Sequence, residues 1–206
     1  MKKIILSMAR SGSSSLATSF DCFSVETVSQ ETVNGETIPF NGLEEIDSSM
    51  FKMMTHDYNY DELCYLVENN KVALLYRKDR FERALSMCIG NITQIWQKPH
   101  LEKIGNEDYY NNKIFVDKDS FLYRLKFQDE QEEKIFRLST SYNLPVFSYE
   151  SLYYVDTRYE LESLNSYFGS DLDIDSALDF LVPANGKLND YSNVGNFEDI
   201  LRWYSE

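Results

Sequence analysis

Val72-Ala73-Leu74-Leu75-Tyr76 is apolar at every position and runs directly into Arg77. A strand with one wet face alternates apolar and polar residues, whereas an unbroken apolar run belongs to a strand buried on both sides. Such strands sit inside parallel sheets, and consecutive parallel strands need a crossover between them, usually a helix. This one run therefore points to an α/β layer structure.

The rest of the chain agrees. Ile4-Ile5-Leu6, Met50-Phe51-Lys52-Met53-Met54 and Val146-Phe147-Ser148-Tyr149 read as further short strands. Between them, Leu16 to Phe20 looks helical, and Leu63, Leu66 and Val67 recur at helical intervals before Asn69-Asn70. Asp79 to Ile95 reads as a long helix, with Asp79 as N-cap and Glu82 three residues on, a variant of the capping box. Ser120 to Tyr142 is a helix whose charged middle, Gln128 to Lys134, is expected to be solvated; Arg158 to Phe168 stops at Gly169, and Phe197 to Tyr204 is the last helix. Residues 21–50 read as an irregular lip, 97–118 as an insertion loop and 183–196 as a polar loop. The alternation predicts an α/β fold with a parallel sheet, in one domain spanning 1–206 without repeats or linkers.

Composition narrows the partners. With 206 residues, 43% of them hydrophobic, the chain can build one sizeable core. A formal net charge of −14 argues against nucleic acid and anionic membrane surfaces as partners. Cys22, Cys64 and Cys88 show no C-x-x-C spacing and have only His56 and His100 for company, so neither a disulfide framework nor a zinc site is expected. A reducing cytosol is the expected home. The apolar run after Lys2-Lys3 is too short for a signal-peptide core, and no segment has the length of a membrane span.

Cations are scarce here, so where they gather is informative. Ser7-Met8-Ala9-Arg10-Ser11-Gly12-Ser13-Ser14-Ser15 follows the first strand and opens a helix. Strand, small-residue loop and helix start together form an anion cradle, with backbone N–H groups aimed at one spot and Arg10 adding a planar donor fork. The loop lacks the G-K-[ST] of an ATP-binding loop. A second cluster, Arg77-Lys78-Asp79-Arg80-Phe81-Glu82-Arg83, follows the apolar strand, and Ser86 lies two turns along. Arg80 and Arg83 read as an ordinary solvated helix start; Arg77 and Ser86 have neighbours that read as buried. Ligands of parallel sheets bind beyond the carboxyl ends of the strands, where both clusters fall.

These residues resemble those of sulfotransferases. Arg10-Ser11-Gly12-Ser13-Ser14 is similar to that family's 5′-phosphosulfate loop, with Ala9 where many members carry proline. Val72 to Ser86, with R-x-D-x-x-x-R-A-x-S, resembles its 3′-phosphate motif and lies closest to the bacterial trehalose-type members. Phe51-Lys52-Met53-Met54 with His56, Thr93-Gln94-Ile95-Trp96, Phe147-Ser148-Tyr149-Glu150-Ser151-Leu152, and Asn196-Phe197-Glu198-Asp199-Ile200 match further segments in order.

The resemblance implies the family's three-layer, P-loop-like fold. It also implies 3′-phosphoadenosine 5′-phosphosulfate (PAPS) as donor, a hydroxyl on a small molecule or carbohydrate as acceptor, and no metal. Arg10 with Ser11, Gly12, Ser13, Ser14 and Ser15 would hold the 5′-phosphosulfate, Arg10 also serving catalysis, while Arg77 and Ser86 would hold the 3′-phosphate. Two residues compete as general base: Glu31, otherwise an exposed loop acid, and His56, otherwise a capping or core histidine. Lys52 would support the bridging oxygen or merely end its strand. Lys187, with Asn189, falls in the family's nucleotide-closing segment, or in an ordinary surface loop. A kinase-like phosphotransferase and a non-catalytic binding module on the same scaffold are the competing readings.

Overall fold

The computed structural model describes residues 1–24, 43, 49–94, 112–181 and 191–206. Glu31, Trp96, Lys187 and Asn189 lie outside the described residues, as do most of the expected lip and insertion loop. The chain divides into two compact units, Met1–Lys78 with Gln131–Val182, and Asp79–Glu130 with Pro183–Glu206. The strands are β1 (Lys3–Ser7), β2 (Phe23–Ser24), β3 (Met50–Met54), β4 (Lys71–Tyr76) and β5 (Val146–Ser148). The helices are α1 (Ser13–Ser19), α2 (Tyr60–Asn69), α3 (Arg80–Thr93), α4 (Lys118–Tyr142), α5 (Thr157–Phe168), α6 (Ile174–Phe180) and α7 (Phe197–Ser205).

The first unit holds a five-stranded sheet in the order β2-β3-β1-β4-β5, and every pairing is parallel. Ser7 of β1 stands level with Met54 of β3 and Leu75 of β4, so the carboxyl ends of three neighbouring strands finish side by side. The unbroken apolar runs have the cause expected of them. Ile4, Leu6, Phe51, Met53, Val72 and Leu74 pack with Leu63 and Leu66 of α2 and with Ile135 and Leu138 of α4. Their neighbours Ile5, Ala73 and Leu75 pack with Leu16 of α1, Leu161, Leu164 and Phe168 of α5, and Ala177 of α6. Successive strand residues point to opposite faces, so both faces are covered by helices. Each buried leucine or isoleucine contributes about 1.5–3 kcal/mol relative to exposure.

Local signals place the helix ends. Asn59 and Glu62 form a reciprocal capping box at α2, at 3.0 and 2.8 Å, and Gly169 closes α5 with φ 58°. Helix α6 is additional to the sequence expectation. Its cap is Asp173, which accepts from the Asp175 and Ser176 N–H groups.

In the second unit, Asp79 caps α3 by accepting from the Glu82 N–H at 2.9 Å. Ala84, Leu85, Cys88 and Ile89 of α3 pack on Phe121 and Leu125 of α4 and on Ile200 of α7. Ile114 bridges Val194 in parallel, and the Asn196 side chain bonds both the N–H and the carbonyl of Val116. Arg80 is exposed and makes a bidentate pair with Asp129 at 2.6 and 2.7 Å.

Two expectations need correcting. Arg83 is not part of a solvated helix start; it is fully buried. The middle of α4 is not solvated all round either. Its buried residues Phe121, Leu125, Gln128, Gln131, Ile135 and Leu138 recur every three or four positions, so Gln128 and Gln131 continue an otherwise apolar stripe. Among the described residues no helix is long and apolar enough to cross a membrane.

Candidate functional site

The carboxyl ends of β1, β3 and β4 carry most of the residues singled out in the sequence. The first loop leaves β1 through Met8, whose N–H extends the ladder to the Leu75 carbonyl at 3.2 Å. Ser11 is fully buried, and its hydroxyl donates back to the Met8 carbonyl at 2.7 Å, which closes the turn tightly. The tightness is carried by two left-handed residues, Arg10 at φ 63° and Gly12 at φ 75°. Glycine adopts that region freely; an arginine there costs about 1–2 kcal/mol. Strain of this kind at a non-glycine residue concentrates at ligand-binding loops.

Helix α1 begins at Ser13 with no side-chain cap, so its first-turn N–H groups get no help from the residue before it. Ser13 is buried with its hydroxyl 3.9 Å from the Met54 sulfur, while Ser14 and Ser15 are half-buried. Ser7 donates to the Met53 carbonyl at 3.2 Å. The loop is thus fastened to the ends of both flanking strands.

Arg77 leaves β4 beside this loop and is 8% exposed. Its guanidinium carbon lies 4.6 Å from the centre of the Tyr149 ring, a cation–π stack. The same ring packs on the first loop, since a Cβ added at Gly12 would lie 2.6 Å from Tyr149 Cδ2 and 2.8 Å from Tyr153 Cε2. No side chain larger than hydrogen fits there. Glu150 ties the adjacent strand ends together by accepting from the Lys78 N–H at 3.0 Å.

His56 sits in the 3₁₀ turn Thr55–Asp57 that follows β3, with its side chain 18% exposed. Its Nε2 is 3.5 Å from Asp57 Oδ1, and the Asp57 side chain is buried. Burial pushes the imidazole pKa below its ordinary value of 6.5; Asp57 opposes that shift, and the charges of Lys52 and Lys134 add to it. Lys134 itself donates to the Tyr58 carbonyl at 3.0 Å. Lys52 lies in the middle of β3 rather than at its end, opposite Ile5 and Ser24, and is 4% exposed. Its charge is felt at both His56 and the Cys22 thiol, which burial pushes up to about 12.

Arg10, the serine loop, His56 and Arg77 therefore share one edge of the sheet in the first unit. Ser86 belongs to the second unit, where it is buried in α3, and its assignment rests on the motif alone. Glu31 and Lys187 lie outside the described residues. Sequence reasoning passed over Tyr149, Tyr153 and Asp57. The two tyrosines stand four residues apart, at helical spacing, directly after a strand; that spacing was the signal available. Among the described residues no group of three or more His, Cys, Asp or Glu side chains could hold a metal ion.

No protein-family model matches the chain, and sequence comparison with curated proteins returns no match. Its fold is similar to the crystal structure of mouse sulfotransferase SULT7A1 complexed with PAP, with a TM-score of 0.53 and 14% identity. The likeness covers 87% of this chain and 64% of that one, so the chain spans under two thirds of the length of the structure it matches. What the likeness establishes is the architecture: an α/β fold with a parallel central sheet flanked by helices.

Proposed function

We propose that the chain is a sulfotransferase that moves a sulfuryl group from PAPS to a hydroxyl of a small-molecule or carbohydrate acceptor. The observation that carries this reading is the pairing of two basic groups at adjacent parallel strand ends. Arg10 lies on a strained loop after β1 and Arg77 follows β4, and the Tyr149 ring contacts Arg77 and the Gly12 turn of that loop. A nucleotide with phosphates on opposite sides of one ribose needs two such anion sites. The fold likeness to a protein crystallised with PAP supports the same donor.

The reaction breaks the bond from sulfur to the donor's phosphate oxygen and forms one to the acceptor oxygen, while the acceptor proton passes to a base. Sulfuryl transfer is similar to phosphoryl transfer in having a loose, in-line course, so the protein's task is positioning and charge stabilisation. Arg10 and the backbone of Ser11 to Ser15 bind the 5′-phosphosulfate and meet the developing negative charge. A lost donor of this kind costs about 3–4 kcal/mol of barrier. Arg77 binds the 3′-phosphate against the Tyr149 face.

His56 takes the acceptor proton in this reading. Its lowered pKa leaves it neutral, and so able to accept a proton, near pH 7. Glu31 is the competing base. Lys52 supplies positive potential close to His56 and supports the bridging oxygen.

Incubation with sulfur-35-labelled PAPS and an array of hydroxylated acceptors, carbohydrates included, tests the proposal. Label transfer that survives only one of His56→Ala and Glu31→Ala identifies the base. Magnesium-dependent transfer from ATP instead would make the protein a kinase. Donor binding without transfer to any acceptor would make it a binding module.

A further inference from the structure

The contact that locks the first loop comes from far along the chain. Ser151–Val155 forms a π-helical turn, closed by the Asp156 N–H donating to the Ser151 carbonyl at 3.0 Å. The Ser148 hydroxyl, accepting from the Ser151 N–H at 3.1 Å, fixes its start. Turns of this type are rare and are found at functional sites more often than elsewhere. This one holds Tyr149 and Tyr153 with ring centroids 4.5 Å apart, both against Gly12. Tyr153 is buried, and its phenol donates to the Gly12 carbonyl at 2.6 Å across 141 positions of sequence. The Ser15 side chain and the Leu16 backbone stand close to the same phenol.

Peptide planarity gives this bond a consequence. In a trans peptide the C=O and the following N–H point in opposite directions, and the described residues contain no cis bond. Pinning the Gly12 carbonyl onto Tyr153 therefore turns the Ser13 N–H away from Tyr153. The Gly12 carbonyl also accepts from the Leu16 N–H at 3.4 Å, the first bond of α1, so the phenol at 2.6 Å makes the shorter of the two bonds that hold the Gly12–Ser13 peptide.

We propose that Tyr153 is a positioning residue for the donor loop: its phenol fixes the Gly12–Ser13 peptide in the orientation that presents the Ser13 N–H to a bound anion. The inference rests on the donor-site reading above for its anion, but not for its effect on the loop. Tyr153 touches no reacting atom and acts through Gly12.

Tyr153→Phe removes one oxygen and keeps the ring. In the free protein, NMR of the Y153F variant is expected to show shifted Gly12 and Ser13 amide signals. Solvent exchange at Ser13 should be roughly tenfold faster, with amides of β1 and β4 unchanged. The Kd for adenosine 3′,5′-bisphosphate should rise roughly tenfold, as loss of a buried hydrogen bond would produce. Unchanged Gly12 and Ser13 signals would overturn the proposal. So would changed signals with an unchanged Kd. If the wild-type protein fails to bind the bisphosphate, the donor reading is at fault, and the Ser13 amide alone decides on Tyr153. Should Y153F not fold, Ser148→Ala removes the bond that fixes the start of the turn carrying Tyr153, and about a threefold effect on Ser13 exchange is expected; no change there would overturn the role.

Discussion

The Arg77 guanidinium stacks on the Tyr149 ring at 4.6 Å, and that ring also closes over Gly12 of the first loop. Tyr149 therefore contributes both packing and the placement of a cation. Tyr149→Leu is expected to cost about 2–4 kcal/mol, because the side chain is 7% exposed and leaves a cavity. Tyr149→Phe keeps the stack and loses only the 3.1 Å contact with the Tyr154 hydroxyl, so under about 1 kcal/mol is expected. Urea unfolding separates the two; equal losses would contradict a role for the ring.

Arg10 is strained at φ 63°, and Arg10→Gly relieves that strain. The gain is offset in part by the extra freedom of glycine in the unfolded chain, so stability should hold level or rise by up to about 1 kcal/mol. Sulfuryl transfer should fall about 10²- to 10³-fold. A destabilised variant with retained transfer would show that Arg10 serves the fold rather than the ligand.

His56 can be followed directly, since the chain has only two histidines. Its NMR titration should have a midpoint below 6.5, because burial disfavours the imidazolium more than Asp57 favours it. The sign for stability follows. The unfolded chain binds the proton more readily than the folded one, so the contribution is full above pH 6.5 and is lost as the pH falls through the folded value. Asp57→Asn removes the charge that opposes the shift and should lower the midpoint further, whereas Lys134→Met should raise it. A midpoint at or above 6.5 in the wild-type protein would contradict this environment.

Gln128 is fully buried in α4; its Nε2 reaches only the Met87 sulfur, at 3.4 Å, and its Oε1 has no partner among the described residues. An unsatisfied buried carbonyl is costly, so Gln128→Met should stabilise the protein by about 1 kcal/mol in urea unfolding. A loss of stability would contradict an unsatisfied amide at this position.

The sheet was legible because its code is local: Val72 to Tyr76 and Ile4 to Leu6 are apolar on every residue, and only two covered faces explain that. Asp79 as the α3 cap was legible for the same reason, the relevant bond being to Glu82 three residues away. Arg83 and Gln128 were misjudged because residue type was weighed above position. Each falls on the buried face that helical period assigns, and tertiary packing overrides polarity there. Spacing alone pairs Tyr153 with Tyr149; its bond to Gly12 was not legible, since it is set by the return of β5 to the sheet.

The two-anion account is tested most directly by calorimetry without magnesium, comparing adenosine 3′,5′-bisphosphate with adenosine 5′-monophosphate on wild-type, Arg10→Ala and Arg77→Ala proteins. The wild type should prefer the bisphosphate by tenfold or more. Arg77→Ala should lose that preference while still binding the monophosphate, and Arg10→Ala should weaken both ligands, each by about tenfold for one lost charge-assisted contact. Equal wild-type affinity for the two nucleotides, or an Arg77→Ala protein that keeps the full preference, would contradict the account.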